Sequence, residues 1–184
     1  MENVAVLVID VQQGLFNPEP ADCQCVVERI NQLTVLARAS QCPVIFIQHH
    51  TPGDDALAKG SSRWQLYSRL IVEPGDHRVD KTTPDSFLRT SLDALLASLN
   101  VRHLIIAGYS SEFCIDTTVR RAAGLGYRVT LAADAHTSHD KAHASGVEIR
   151  QHHNLTLSAI ESFGVSIEAL DSAEICRRYL SPEE

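Results

Sequence analysis

Positive charge is in short supply in this 184-residue sequence. Sixteen lysines and arginines stand against 23 aspartates and glutamates, for a net charge of −7. Nucleic acid or an anionic membrane as the main partner would call for a positive surface. No apolar run reaches the roughly 20 residues that cross a bilayer. The first residues, MENVAVLVID, lack the basic start of a secretory signal, so a cytoplasmic location is expected. No phosphate loop of the G-x-G-x-x-G or G-x-x-x-x-G-K-S/T kind is present, which counts against nucleotide binding. Five cysteines are an odd number without framework spacing, and plain thiols in a reducing compartment are expected. Cys23 and Cys25 form a C-x-C pair without a second pair to complete a zinc site. Repeats, low-complexity tracts and linkers are missing too, so residues 1–184 read as one domain.

What is present is an alternation of apolar patterns. Residues 4–9 (VAVLVI), 43–48 (PVIFIQ) and 103–107 (HLIIA) are continuous apolar runs rich in β-branched residues, as in strands covered on both faces. Residues 127–133 and 165–170 are weaker strand candidates. Val26, Ile30, Leu33 and Ala37 recur at helical spacing, as do Leu92, Leu95, Leu96 and Leu99. Thr90 with Asp93 suggests a cap for the second helix, and Asp171 with Glu174 the start of a C-terminal one. Strand and helix in alternation predict a three-layer α/β/α sandwich with a mostly parallel, doubly wound, Rossmann-like sheet. In such sheets ligands bind beyond the carboxyl ends of the strands, where strand order reverses. Two stretches that follow strands, 49–69 and 134–146, break the rhythm and carry histidines.

Three residues stand out for chemistry. Asp10 ends the first apolar run, so its carboxylate sits at the sheet's edge, partly desolvated and suited to act as a base; capping a turn is the plainer role. Cys114 lies in GYSSEFCIDTTVRRAAGLGY, and a helix over about 112–125 puts it in a first turn, where N–H groups and the helix dipole favour thiolate. The plainer role is that of a buried thiol. Lys81, followed closely by Pro84, reads as part of a loop; most lysines are solvated surface groups.

Together the motifs say more than each alone. D-x-Q near the N-terminus, K-x-x-P-D-S-F-x-x-T-x-L in the middle and G-x-x-x-E-x-C-I-x-x-T-x-x-x-A-x-x-x-G-Y later resemble the isochorismatase-like hydrolase superfamily, over residues 4 to 140 or so. That superfamily includes nicotinamidases, carbamoylsarcosine amidohydrolases and streptothricin hydrolases. The resemblance implies a catalytic triad of Asp10, Lys81 and Cys114. It also implies a cis peptide at Tyr109–Ser110, turning the Ser110 N–H to share an oxyanion hole with that of Cys114. The implied activity is hydrolysis of an amide-like or lactam-like C–N bond in a small molecule through a thioester, by a homo-oligomer without a cofactor.

Nicotinamidases carry an aspartate–x–histidine metal cluster where this chain has IQHHTPGDD, with His49 and Thr51 at the first two ligand positions. His49, His50 and Asp54 are the remaining metal candidates, but neighbouring strand residues face opposite ways, so no metal is expected. QHH, GSSRW and DAHTSHD are closer to the streptothricin-hydrolase members. True isochorismatases cleave a vinyl ether and need no thiol, so Cys114 favours acyl chemistry. Gln12, Phe16, His49, Trp64, Phe87, Tyr109 and His136 are pocket candidates; core packing is the alternative for Phe16 and Phe87, capping for Gln12, and a solvated loop for His136 and His139. Asp116 and Arg120 read as an i,i+4 ion pair. Rival readings are a metal-dependent nicotinamidase, an isochorismatase-type ether hydrolase, a flavodoxin-like binding module and a degenerate family member serving as a scaffold.

Overall fold

The computed structural model describes residues 3–53 and 57–181. Six strands run β1 (Val4–Ile9), β2 (Val44–His49), β3 (His77–Lys81), β4 (His103–Tyr109), β5 (Arg128–Thr137) and β6 (Ile167–Leu170). Five helices alternate with them: α1 (Cys23–Ala39), α2 (Leu92–Ser98), α3 (Asp116–Gly124), α4 (Gly146–Ser158) and α5 (Ser172–Tyr179). The strands form one sheet in the order β3-β2-β1-β4-β5-β6, and every pairing is parallel.

Alternation of side chains along the strands divides the core into two layers. Val4, Val6 and Val8 of β1 face α1 and α5, meeting Val26, Ile30, Leu33 and Ile175. Ala5, Leu7 and Ile9 face the other way, toward Leu92 and Leu96 of α2, Val119 and Ala122 of α3 and Leu157 of α4. The result is the three-layer α/β/α sandwich expected from the sequence. Among the described residues no helix is long and apolar enough to cross a membrane.

One strand was not expected. HRVDK forms β3, so Lys81 ends a strand instead of sitting in a loop. β3 is the edge of the sheet, and Val79 is its one buried apolar residue, so it lacks the continuous apolar signature of covered strands. The expected Thr90–Asp93 cap forms only in part: the Thr90 hydroxyl accepts from the Leu92 N–H at the start of α2, but no capping box closes. Ser91 precedes α2, Thr90 donates to Ser86 O, and Asp93 accepts from the Tyr127 hydroxyl.

The chain moves outward from β1 through β2 to β3, then crosses back to lay β4 on the other side of β1. Strand order therefore reverses between β1 and β4, and the crevice beyond their carboxyl ends is the place for a ligand. Gly108 holds this junction tight. Its φ is +123°, and a Cβ there would meet Ile9 O at 2.1 Å. β5 is irregular beside it: Ile106 pairs with Leu131, but Gly108 pairs with His136, so Ala107 of β4 lies opposite four residues of β5, Ala132 to Ala135.

Candidate active site

Asp10 is the first residue after β1, and its backbone turns left-handed with φ 53°. Its N–H donates to Ile47 O, which extends the β1–β2 ladder by one step and fixes where the carboxylate leaves the sheet. Lys81 arrives from β3, two strands away, and its long side chain spans that gap. Lys81 Nζ lies 2.7 Å from Asp10 Oδ2, with the two side chains 0% and 1% exposed. Cys114 belongs to a single π-helical turn, Ser111–Ile115, that leads from β4 into α3. Its sulfur lies 3.3 Å from the same Lys81 ammonium. The peptide bond Tyr109–Ser110 that enters this turn is cis.

An ammonium has three protons to give. Lys81 faces four acceptors: Asp10 Oδ2, Thr83 O at 3.0 Å, Cys114 Sγ and His49 Nδ1, the last two at 3.3 Å. Burial alone would push the Lys81 pKa down, but the Asp10 charge and the hydrogen bonds to Asp10 and Cys114 outweigh it and hold it above the ordinary lysine range. The lysine therefore stays charged at neutral pH. His49 goes the other way: burial first, then the Lys81 charge, lowers its pKa, so its Nδ1 keeps a lone pair for the ammonium.

The cysteine departs from expectation. A helix N-terminus and a lysine favour thiolate, yet the Cys114 pKa is pushed up to about 12, first by burial and then by the Asp10 carboxylate, against the opposing pull of Lys81. In the resting site burial and the carboxylate therefore favour the neutral thiol. The Asp10 carboxylate shares the Lys81 ammonium with that thiol, which makes it the natural receiver of the thiol proton. Ion pair and thiol together form an acid–base unit whose nucleophile is released only when something draws the proton away.

The family model described as the isochorismatase domain matches residues 4–162. The chain belongs to the isochorismatase family. A streptothricin hydrolase of Streptomyces noursei is 36% identical over 140 residues, 74% of this chain and 50% of that protein. A secreted isochorismatase effector of Verticillium dahliae is 28% identical over 172 residues, 91% of this chain and 89% of that one. The chain spans only about half the length of the curated streptothricin hydrolases it matches. Among solved structures, an isochorismatase family protein superposes with a TM-score of 0.84 at 34% identity, covering 93% of this chain and 99% of the other. A cysteine hydrolase from Pseudomonas syringae pv. phaseolicola matches with the same TM-score at 24% identity, covering 96% and 92%, and speaks for the fold alone.

Within this isochorismatase domain the other expected site residues divide into two groups. Gln12, His49 and Trp64 come together. Gln12 accepts from the His49 N–H at 2.8 Å and donates to His49 O and Trp64 O, so it clamps the end of β2 to the segment that follows. Tyr109 is half-buried; its ring lies edge-on to Phe16 and its hydroxyl meets His139 Nδ1 at 2.9 Å. Phe16 is a core residue between Tyr67 and Tyr109. Phe87 does not join the site. Its ring packs against Tyr127 in the core layer under α2, because the turn after β3 folds inward where Ser86 meets Thr118. His136 is fully buried rather than facing a pocket or solvent, between Ser111 and Asn154.

Sequence reasoning did not single out Thr83, whose carbonyl serves the lysine, nor Ser111 and Asn154. Ser111 stands beside the expected oxyanion residue Ser110, a signal available in the motif; Asn154 lies on α4 and carries no such signal. Among the described residues no group of three His, Cys, Asp or Glu is placed to share a metal ion. Asp54, named with His49 and His50 as a metal candidate, lies outside the described residues.

Proposed function

We propose that this chain is a cysteine hydrolase that cleaves an amide-like C–N bond of a small molecule through a thioester on Cys114. One observation carries the reading: a single buried ammonium, Lys81, touches both the carboxylate of Asp10 and the sulfur of Cys114. Because the resting thiol is neutral, proton transfer accompanies attack. As Sγ forms its bond to the substrate carbonyl carbon, Asp10 takes the thiol proton and Lys81 offsets the negative charge on sulfur. The carbonyl oxygen becomes an oxyanion held by the backbone N–H groups of Ser110 and Cys114, which stand at the start of a helical segment where such groups lack intrahelical acceptors. Asp10 then passes its proton to the departing nitrogen and the C–N bond breaks, leaving a thioester. Water, deprotonated by Asp10, attacks that thioester; the acid product leaves and the thiol regains its proton. The curated relatives named streptothricin hydrolase and ureidoacrylate amidohydrolase support C–N cleavage as the reaction class. Five free thiols, with no disulfide among them, suit the reducing conditions of a cytoplasmic enzyme.

The test is a panel of small amides, lactams and carbamoyl compounds, read by release of ammonia or amine and by intact mass of the acylated protein. Wild type is expected to accumulate an adduct on Cys114 with its slowest thioester. Full turnover by Cys114→Ala would overturn the proposal.

A further inference from the structure

His136 is buried on β5, Ser111 is buried at the start of the π turn, and Asn154 sits on α4. Asn154 Nδ2 donates to Ala133 O at 2.9 Å, which aims its Oδ1 at His136 Nε2, 2.8 Å away. An amide oxygen only accepts, so the proton of the neutral imidazole is on Nε2. Nδ1 then holds a lone pair, and the Ser111 hydroxyl, 2.7 Å from it, is the donor. Every proton in the chain thus has one direction, from Ser111 to His136 to Asn154, and the Asn154 amide continues that direction to β5.

Resting on the proposed thioester chemistry, we infer that Asn154, His136 and Ser111 form a directed relay that positions the turn carrying Cys114, with His136 as a positioning residue. Ser111 is one residue past the cis peptide and three before the nucleophile, so pinning its side chain fixes both proposed oxyanion donors and the thiol. The irregularity in β5 is what brings His136 opposite Gly108, where the chain leaves β4. Burial pushes the His136 pKa down to about 4, so the relay keeps its direction at neutral pH. The charged groups that bear on the ring are Arg150 and His153 of α4 and Asp134 of β5. A hydrogen-bonded network of this kind, with His136 and Ser111 buried and Asn154 partly so, holds its members in one arrangement.

The experiment measures the rate of iodoacetamide labelling at Cys114 against pH, by mass spectrometry, in folded protein well below its melting temperature. Ser111→Ala and Asn154→Leu free the turn. Each is expected to change the labelling rate about tenfold at a given pH, a displacement of the rising limb of the profile by about one pH unit. His136→Gln, which offers an acceptor and a donor at the same ends, is expected to restore behaviour within about twofold of wild type. A purely structural role would lower the melting temperature of these variants and leave the profile in place, and that outcome overturns the proposal. Asp10→Asn serves as the reference. If it too leaves the profile unmoved, the thioester site is the reading that fails; if it moves the profile and the relay variants do not, only the relay fails. Nitrogen NMR of wild type needs no variant to fold: the Nε2–H tautomer of His136 is expected at about pH 6, and an Nδ1–H tautomer or an imidazolium there would also overturn the inference.

Discussion

Lys81 Nζ stands 2.7 Å from Asp10 Oδ2, and neither side chain is open to solvent. A pair buried this deeply is expensive to break from one side, because the remaining charge has no water to turn to. Lys81→Met leaves the Asp10 carboxylate stranded. The expected loss is about 3–5 kcal/mol of stability, seen as a lower denaturant midpoint. Replacing both members, Asp10→Asn with Lys81→Met, is expected to recover much of that loss while leaving the protein inactive. A single variant as stable as wild type would count against the burial of this pair.

Asp10→Asn keeps the size of the side chain and removes its ability to take a proton. Turnover on any substrate found in the amide panel is expected to fall by about 10²–10⁴-fold. Binding of that substrate, read by protection of Cys114 from alkylation, should survive. Retention of rate would move the base elsewhere.

His136 contributes a pH dependence of stability on the acid side. Its folded pKa, about 4, lies below the ordinary value of 6.5. Between those values the unfolded chain binds a proton that the folded chain refuses, so stability is present above pH 6.5 and drains away as pH falls toward 4. The contribution is roughly 3 kcal/mol. Denaturation midpoints measured across that window are expected to fall steeply in wild type and less in His136→Gln. Parallel slopes would refute the assignment.

The thiol of Cys114 works in the alkaline direction. Its folded pKa, about 12, exceeds the ordinary 9.0, so the unfolded chain gives up this proton first. Stability from this group is present below pH 9 and lost as pH rises toward 12. Cys114→Ala is expected to be the less alkali-sensitive protein in a melting series over that range.

Gly108→Ala tests the switch between β1 and β4. A methyl group there meets the Ile9 carbonyl at 2.1 Å in a backbone region that side-chain-bearing residues rarely adopt. A loss above about 4 kcal/mol is expected, appearing as insoluble expression or early melting.

What the sequence disclosed followed burial. β1, β2 and β4 are covered on both faces and announce themselves as continuous apolar runs, and the three ordered motifs brought Asp10, Lys81 and Cys114 to one edge of the sheet. β3 stayed hidden because an edge strand with one buried valine has no such signature. The environment of the Cys114 proton was only half legible for a related reason. A first-turn position is visible in the sequence, whereas burial of the thiol and the approach of Asp10, which raise its pKa, arise only in the folded chain. Phe87 lies within a family motif yet belongs to the core, since motif membership does not say which way a ring points.

The uneven stretch of β5 acts as a length standard. Upstream of it Thr130 and Leu131 pair with β6; within it Asp134 accepts from the N–H and hydroxyl of Ser172 and so anchors the start of α5; downstream His136 lies beside Gly108. Strand side chains alternate, so deleting or adding one residue between 132 and 135 would swing everything beyond it to the opposite face. Loops at the surface drift freely in length during evolution, but this segment has no such freedom. Homologous chains that keep the histidine–serine contact should keep its residue count as well.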